Sequence, residues 1–137
     1  MCMERVIDAI ILKEKRILLV KKVKKMGTID VECWIPPGGK PEMGESDIHC
    51  LDRECREELS GLVITVSHFF TSIVGRKFWD DEIIECFFFF AEIKNGEIIP
   101  SKEITDARFC SFKEIKTLPT SETTEELIRR LHKKGYF

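Results

Sequence analysis

Glutamine is absent from this chain, and asparagine occurs once, at Asn95. Amide side chains are the common two-point readers of purine edges. The composition argues against strict selection of an oxidised purine through an amide, because Asn95 is committed to the tight turn that Asn-Gly signals. Tyrosine also occurs once, near the C-terminus, as Tyr136. The six cysteines, at 2, 33, 50, 55, 86 and 110, include no CxxC pair. None of the three histidines, His49, His68 and His132, stands at metal-ligand spacing from a cysteine. This argues against zinc and for reduced, mostly buried thiols in a cytoplasmic protein. Long apolar runs are missing too. The longest, Cys86 to Ile93, follows Glu85 and is broken by Glu92, so it is too short for a bilayer. Near the start, Glu4, Arg5 and Asp8 stand where a secretory signal would build its apolar stretch. Neither sign of charge dominates. With a net charge of -2, no global field draws the chain to nucleic acid or to a membrane.

What is there suits one domain of ordinary size. The chain has 137 residues, 43% hydrophobic and 34% charged, enough to bury a core without staples. Residues 5–25 read as two strands around a charged turn, Lys13 to Arg16, and residues 26–34 as a loop with a little extended structure. Residues 35–46, dense in Pro and Gly, form a loop. Ser46 or Asp47 starts a helix whose buried stripe is Ile48, Leu51, Cys55, Leu59 and Leu62, and Ser60-Gly61 ends it. Residues 62–75 are a strand rich in β-branched and aromatic residues. Residues 83–93, with Phe87 to Phe90, are a near-continuous apolar strand, central in its sheet. Residues 107–112 are a short strand, and a capped helix with Leu127, Ile128 and Leu131 inward closes the chain. The order β-β-loop-α-β-β-β-α makes an α/β (α+β) fold, with helices covering a mixed sheet.

Glu54, Glu57 and Glu58 fall within roughly 100° of arc on the first helix, beside its apolar stripe. Like charges so close raise one another's pKa. Hard oxygen ligands in this arrangement suit Mg²⁺, with Mn²⁺ as substitute, and Mg²⁺ is usually shared with substrate phosphates. Upstream, Pro37 stiffens the loop, and Gly38-Gly39 let backbone come close to a ligand or offer a carbonyl. Alone, the glycines fit a plain turn and the acidic face a solvated surface. Together they constrain six positions at fixed spacing.

These residues resemble the Nudix hydrolases, whose 23-residue box reads GX5EX7REUXEEXGU, with U bulky and apolar. Gly39 is followed by Glu45, then Arg53-Glu54, Cys55 as U, and Glu57-Glu58, so the box spans residues 39–61. The box glycine expected at Ser60 comes one place late, at Gly61, which touches the helix exit but no metal ligand. The resemblance implies a single domain over residues 1–137, an α/β/α sandwich with a mixed β-sheet between helices. It implies that Glu57 and Glu58 are principal metal ligands, with Glu54 a ligand or the base. The carbonyl of Gly38 would join the shell. Arg53 and Glu45 would brace the loop against the helix. A further acidic ligand from down the chain is expected at Glu103, with Glu92 and Glu97 as rivals. Gly38, Gly39 and Lys40 would meet substrate phosphates.

The reaction implied is metal-assisted hydrolysis of a nucleoside diphosphate linked to another moiety. Relatives acting on ADP-ribose or dinucleoside polyphosphates carry a Pro or Tyr some 15 to 18 residues past the box, where this chain has Gly75 to Trp79. Its length is closer to that of the MutT-like nucleoside triphosphate pyrophosphohydrolases, which release a monophosphate and pyrophosphate. With so few amides, Asp80, Asp81, backbone groups, or stacking on Phe78 or Trp79 would read the base, and for Phe78 and Trp79 the alternative is packing on the sheet. Trp34 and alternate members of Phe87 to Phe90 stand between core and base pocket in the same way. Lys21 to Lys25 either attract phosphate or protect an edge strand. Two alternatives stay open: a nucleotide sugar, dinucleotide or capped RNA end as substrate, or a nucleotide-binding regulator without hydrolysis. The expected partner is a small nucleotide, and the expected state is a monomer or homodimer.

Overall fold

Alternation decides the first strand. In β1 (Glu4–Ile10), Ile7 and Ala9 join one buried cluster while Ile10 joins another. A strand packed on both faces needs apolar residues in succession. The computed structural model describes residues 3–137, so Cys2 lies outside the described residues. β1 is followed by β2 (Leu12–Lys13), β3 (Arg16–Met26), β4 (Ile29–Ile35) and the two-residue β5 (Gly38–Gly39). Then come α1 (Asp47–Glu58), β6 (Val63–Arg76), β7 (Ile83–Asn95), β8 (Asp106–Cys110), α2 (Phe112–Ile115) and α3 (Glu122–Lys133).

The strands form a mixed sheet of order β5-β1-β7-β6, in which β1 runs parallel to β7 and the other pairs are antiparallel. A second, antiparallel sheet places β3 between β4 and β8, with β2 on its first residues. Both sheets contribute to both core clusters. Leu18 and Val20 join Ile7, Leu51, Cys55 and Leu59 on the α1 side. Ile17, Leu19 and Trp34 join Phe88, Leu127 and Leu131 on the α3 side. The β layer therefore lies between α1 and α3. Phe87 and Phe89 pack toward the α1 side, and Phe88 and Phe90 toward the α3 side. This accounts for an unbroken aromatic run in an internal strand.

Several sequence expectations are corrected. Residues 26–34 are a strand rather than a loop: Met26 pairs with Ile29 across Gly27-Thr28, and β4 runs alongside β3 to Val20. Asp30 and Glu32, exposed on the open side, hide its β character from composition. The first two arms do not make one hairpin. The chain breaks at Ile11, so β1 enters the mixed sheet while β2 and β3 enter the other. Ile48 is 57% exposed, whereas Cys50, Leu51, Cys55 and Glu58 are buried. The buried arc of α1 is rotated toward Glu54 and Glu58, leaving Ile48 at its margin. The turn at Asn95-Gly96 leads not to a paired strand but across to β8 in the other sheet. Among the described residues no helix is long and apolar enough to cross a membrane.

Candidate functional site

Ser46 caps α1, its hydroxyl accepting from the His49 N–H at 3.2 Å. The helix then carries Glu54 and Glu58, one turn apart, toward β5. Two glycines make that approach fit. A Cβ at Gly39 would lie 2.4 Å from the carboxyl carbon of Glu54, and one at Gly38 would lie 2.1 Å from the Ile7 carbonyl oxygen. At Gly38 the obstacle is backbone, so only glycine fits, whereas at Gly39 a Cβ would have to displace the Glu54 carboxylate. The Gly38 N–H donates to Glu58 Oε1 at 2.9 Å, and Lys22 Nζ meets Glu58 Oε2 at 2.5 Å. Glu58 is 1% exposed.

Arg53 ties the loop to the helix. It grips Glu45 with two bonds, Nε to Oε2 at 2.8 Å and Nη2 to Oε1 at 2.9 Å. It also donates to the Lys40 carbonyl at 3.1 Å, to Glu54 at 2.8 Å and to Glu57 at 3.2 Å. Such a fork on a carboxylate is strong and directional. It holds the Glu45 carboxyl down to about 2, with the Glu42 N–H assisting. Burial pushes the Glu54 carboxyl up, opposed by Arg53. Burial likewise raises Glu58, opposed by Lys22 and the Gly38 N–H. Burial acts to lower Lys22, but its attraction to Glu58, Asp8 and Glu54 leaves it raised and charged. Asp8, deeply buried beside Gly38, sits well above the ordinary carboxylate range because of that burial.

Beside this cluster opens a cavity of about 340 Å³. Of the residues singled out from sequence, Gly38, Gly39, Lys40, Glu54, Glu58, Phe78, Trp79 and Glu103 line it. Arg53 and Glu45 stand behind its wall. Glu57 does not line it, being half exposed and turned to Arg53. Glu92 and Glu97, the rivals of Glu103, are exposed elsewhere. Phe87 to Phe90 stay out of the cavity, and Trp34 is core, 3% exposed beneath Arg108. Phe78 and Trp79 meet edge to face at 4.8 Å, with Lys24 and Lys77 5.3 Å and 5.2 Å from the Trp79 ring centroid.

Sequence reasoning missed Asp8 and Lys77 as cavity residues, and left Lys22 and Lys24 between phosphate attraction and edge protection. Two signals were present: a lone acid in the apolar run of β1, and lysines two apart on β3, which share a face. Beyond Lys21, β3 loses its β8 partner. Lys22 and Lys24 turn into the cavity there rather than only guarding an edge. Lys77 and Lys40 both pair with Glu4, at 2.8 Å and 3.1 Å.

Hard carboxylate oxygens over a glycine cradle have the donor chemistry of a divalent-ion site. Among the described residues no three acidic, cysteine or histidine groups converge as a ready cage. Lys22 holds the Glu58 oxygen, and Arg53 draws Glu57 outward. The donors fit such an ion once these two cations yield.

The chain matches the NUDIX domain family over residues 3–131. NAD-capped RNA hydrolase NudC of Pseudomonas fluorescens is 38% identical over 86 residues, which are 62% of this chain and 29% of that protein. The matched part is thus under a third of the length of that curated relative. The solution structure of the E. coli ORF135 protein superposes with a TM-score of 0.76 at 25% identity, covering 98% of this chain and 94% of that one. A NUDIX hydrolase from Nitrosomonas europaea superposes at 0.79 with 20% identity, covering 97% and 90%. A MutT NUDIX hydrolase from Burkholderia pseudomallei does so at 0.75 with 19% identity, covering 96% and 99%. A family match over nearly the whole length, with the box loop folded onto its helix, leads to one conclusion: the chain belongs to the NUDIX domain family.

Proposed function

We propose that this protein is a divalent-metal-dependent hydrolase of a nucleoside diphosphate linked to another moiety. Its best substrate would be a nucleoside triphosphate, cut to a monophosphate and pyrophosphate. The observation that carries this reading is the contact of Gly38 and Gly39 with Glu58 and Glu54 at the wall of a cavity lined by four lysines. One end of that cavity is acidic and the other cationic and aromatic, as a metal–phosphate–base ligand requires. We take residues 1–137 as one domain, with the box at 39–61.

Glu54, Glu57, Glu58, Glu103 and the Gly38 carbonyl would hold the ion. Mg²⁺ is our choice and Mn²⁺ the substitute. When bound it neutralises the diphosphate and acidifies the attacking water. Glu54, its carboxyl raised by burial, would be the ligand or the group that accepts that proton. Arg53 keeps Glu54 oriented while bracing the loop through Glu45. Lys24, Lys40 and Lys77 offer ammonium groups to phosphate oxygens. Phe78 and Trp79 offer the base a stacking wall. The five described cysteines are buried free thiols, in keeping with a reducing, cytoplasmic setting.

The test is pyrophosphate versus orthophosphate release from a nucleotide panel with Mg²⁺, using Glu57→Gln as control. Pyrophosphate plus monophosphate from triphosphates, lost in the variant, is the expected result. Neither phosphate release nor nucleoside monophosphate from any substrate, dinucleotides included, by well-folded protein would leave the regulator reading. A second reading is supported by the likeness to an NAD-capped RNA hydrolase. Under it, NAD or NAD-capped RNA would be cut to two monophosphate ends while triphosphates persist.

A further inference from the structure

Glu58 is a buried carboxylate with both oxygens taken, one by the Gly38 N–H and one by Lys22. Among the described residues Lys22 is the cation ion-paired with it. The Lys22 ammonium feels Asp8 and Glu54 as well, so one positive charge serves three carboxylates. The cavity's other lysines are engaged elsewhere: Lys40 and Lys77 on Glu4, Lys24 near Trp79. A buried carboxylate cannot lose its partner without heavy cost. A dication arriving at Glu58 Oε2 would meet the Lys22 ammonium there, and repulsion between the two positive charges favours exchange.

We propose that Lys22 is an internal counter-cation that occupies the Glu58 oxygen in the free protein and passes to substrate phosphate when a divalent ion binds. This rests on the metal-dependent reading above. Lys22 and Lys24 lie two apart on the stretch of β3 free of β8, so the released ammonium stays inside the cavity. Lys24 already stands 5.3 Å from the Trp79 ring centroid. The consequence is coupling. Lys22 weakens metal binding to the free protein, and the nucleotide removes that penalty by giving its charge a new partner. Metal and substrate then bind each other's complex more tightly than either binds the free protein. Lys22 is a positioning residue, acting through Glu58 until substrate arrives.

The experiment measures Mn²⁺ affinity by the electron paramagnetic resonance signal of free Mn²⁺, near pH 8, with and without a non-hydrolysable nucleotide. Lys22→Gln keeps a neutral donor for Glu58 but no counter-charge, so its melting temperature is read first to establish that it is folded. Lys22→Arg keeps the charge. Without nucleotide, Lys22→Gln should bind Mn²⁺ about tenfold tighter than wild type, since a unit charge beside a dication is removed. Lys22→Arg should stay near wild type. The nucleotide should tighten Mn²⁺ binding strongly in wild type and little in Lys22→Gln. A merely structural lysine would lower the melting temperature and leave Mn²⁺ affinity unchanged or weaker, and either result overturns the exchange. If wild type binds no Mn²⁺ under any condition, the metal-dependent reading falls and the exchange with it. If wild type binds and Lys22→Gln matches it with and without nucleotide, the exchange alone falls.

Discussion

At the residue scale the box departs from its pattern at Ser60, and the structure shows what that departure does. Ser60 takes a left-handed φ of 46°, and Gly61 follows at 94°. The Gly61 N–H returns to the Arg56 carbonyl at 2.9 Å, closing the helix. The exit geometry is kept, with a non-glycine residue carrying strain. Ser60→Gly should therefore raise stability, by up to about 1 kcal/mol after the entropy of the freer unfolded chain is subtracted. Urea denaturation measures it, and an unchanged or lower midpoint would contradict the strain. A second residue-scale expectation concerns Glu45. Its carboxyl is held down to about 2 by Arg53. A depressed pKa gives stability that is present above the unfolded value, near 4.3, and lost as pH falls toward 2. Glu45→Gln should melt below wild type at pH 7, and the two curves should converge in strong acid. What could be read from sequence at this scale was the local part. Glu45, Arg53, Glu54, Glu57 and Glu58 lie within one loop and helix, so spacing places them. Lys22 reaches Glu58 across 36 positions of chain, through the register of a sheet that no local pattern encodes.

At the element scale, α1 was legible in its limits but not in its rotation. Its Ser cap and Gly exit are local signals. Which face goes inward is set by the packing of Cys50 and Leu51 under β1, and by the seating of Glu58 on β5. That rotation separates two neighbouring acids. Glu57 is half exposed and shares Arg53 with Glu45 and Glu54. Glu57→Gln should change stability without metal by less than about 0.5 kcal/mol. Glu58→Gln strands the charge of Lys22 and should cost about 3 kcal/mol or more. Both should lose the rise in melting temperature that Mg²⁺ or Mn²⁺ gives wild type. If Glu57→Gln keeps that rise in full, Glu57 is no ligand and the ion relies on Glu54, Glu58 and Glu103. β4 was missed for a related reason. A strand with Asp30 and Glu32 on its open side looks polar, and only its pairing with β3 makes it extended.

At the scale of the whole molecule, the cavity is where the two sheets and the two long helices meet. Asp8 and Gly38 come from the mixed sheet, Lys22 and Lys24 from the antiparallel one, Glu58 from α1 and Thr123 from α3. Contacts between such distant parts of the chain are what sequence patterns cannot show, while the layered class follows from element order. A ligand seated there touches every layer, so its binding energy should appear as global stability rather than as local ordering. At a nucleotide concentration about one hundred times Kd, with metal, the gain is about 2.7 kcal/mol. For a domain of this size that corresponds to roughly 10 °C in Tm. Hydrogen exchange should slow along the Lys22–Met26 arm of β3, in residues 77–82 and at the start of α3 together. Gly39→Ala supplies the contrast, because its Cβ would displace the Glu54 carboxylate. That variant should fold, lose most of the ligand-induced rise and keep fast exchange at all three places. Slowing confined to residues 77–82 in wild type would mean that the ligand rests on Phe78 and Trp79 alone, and that the acidic end takes no part in holding it.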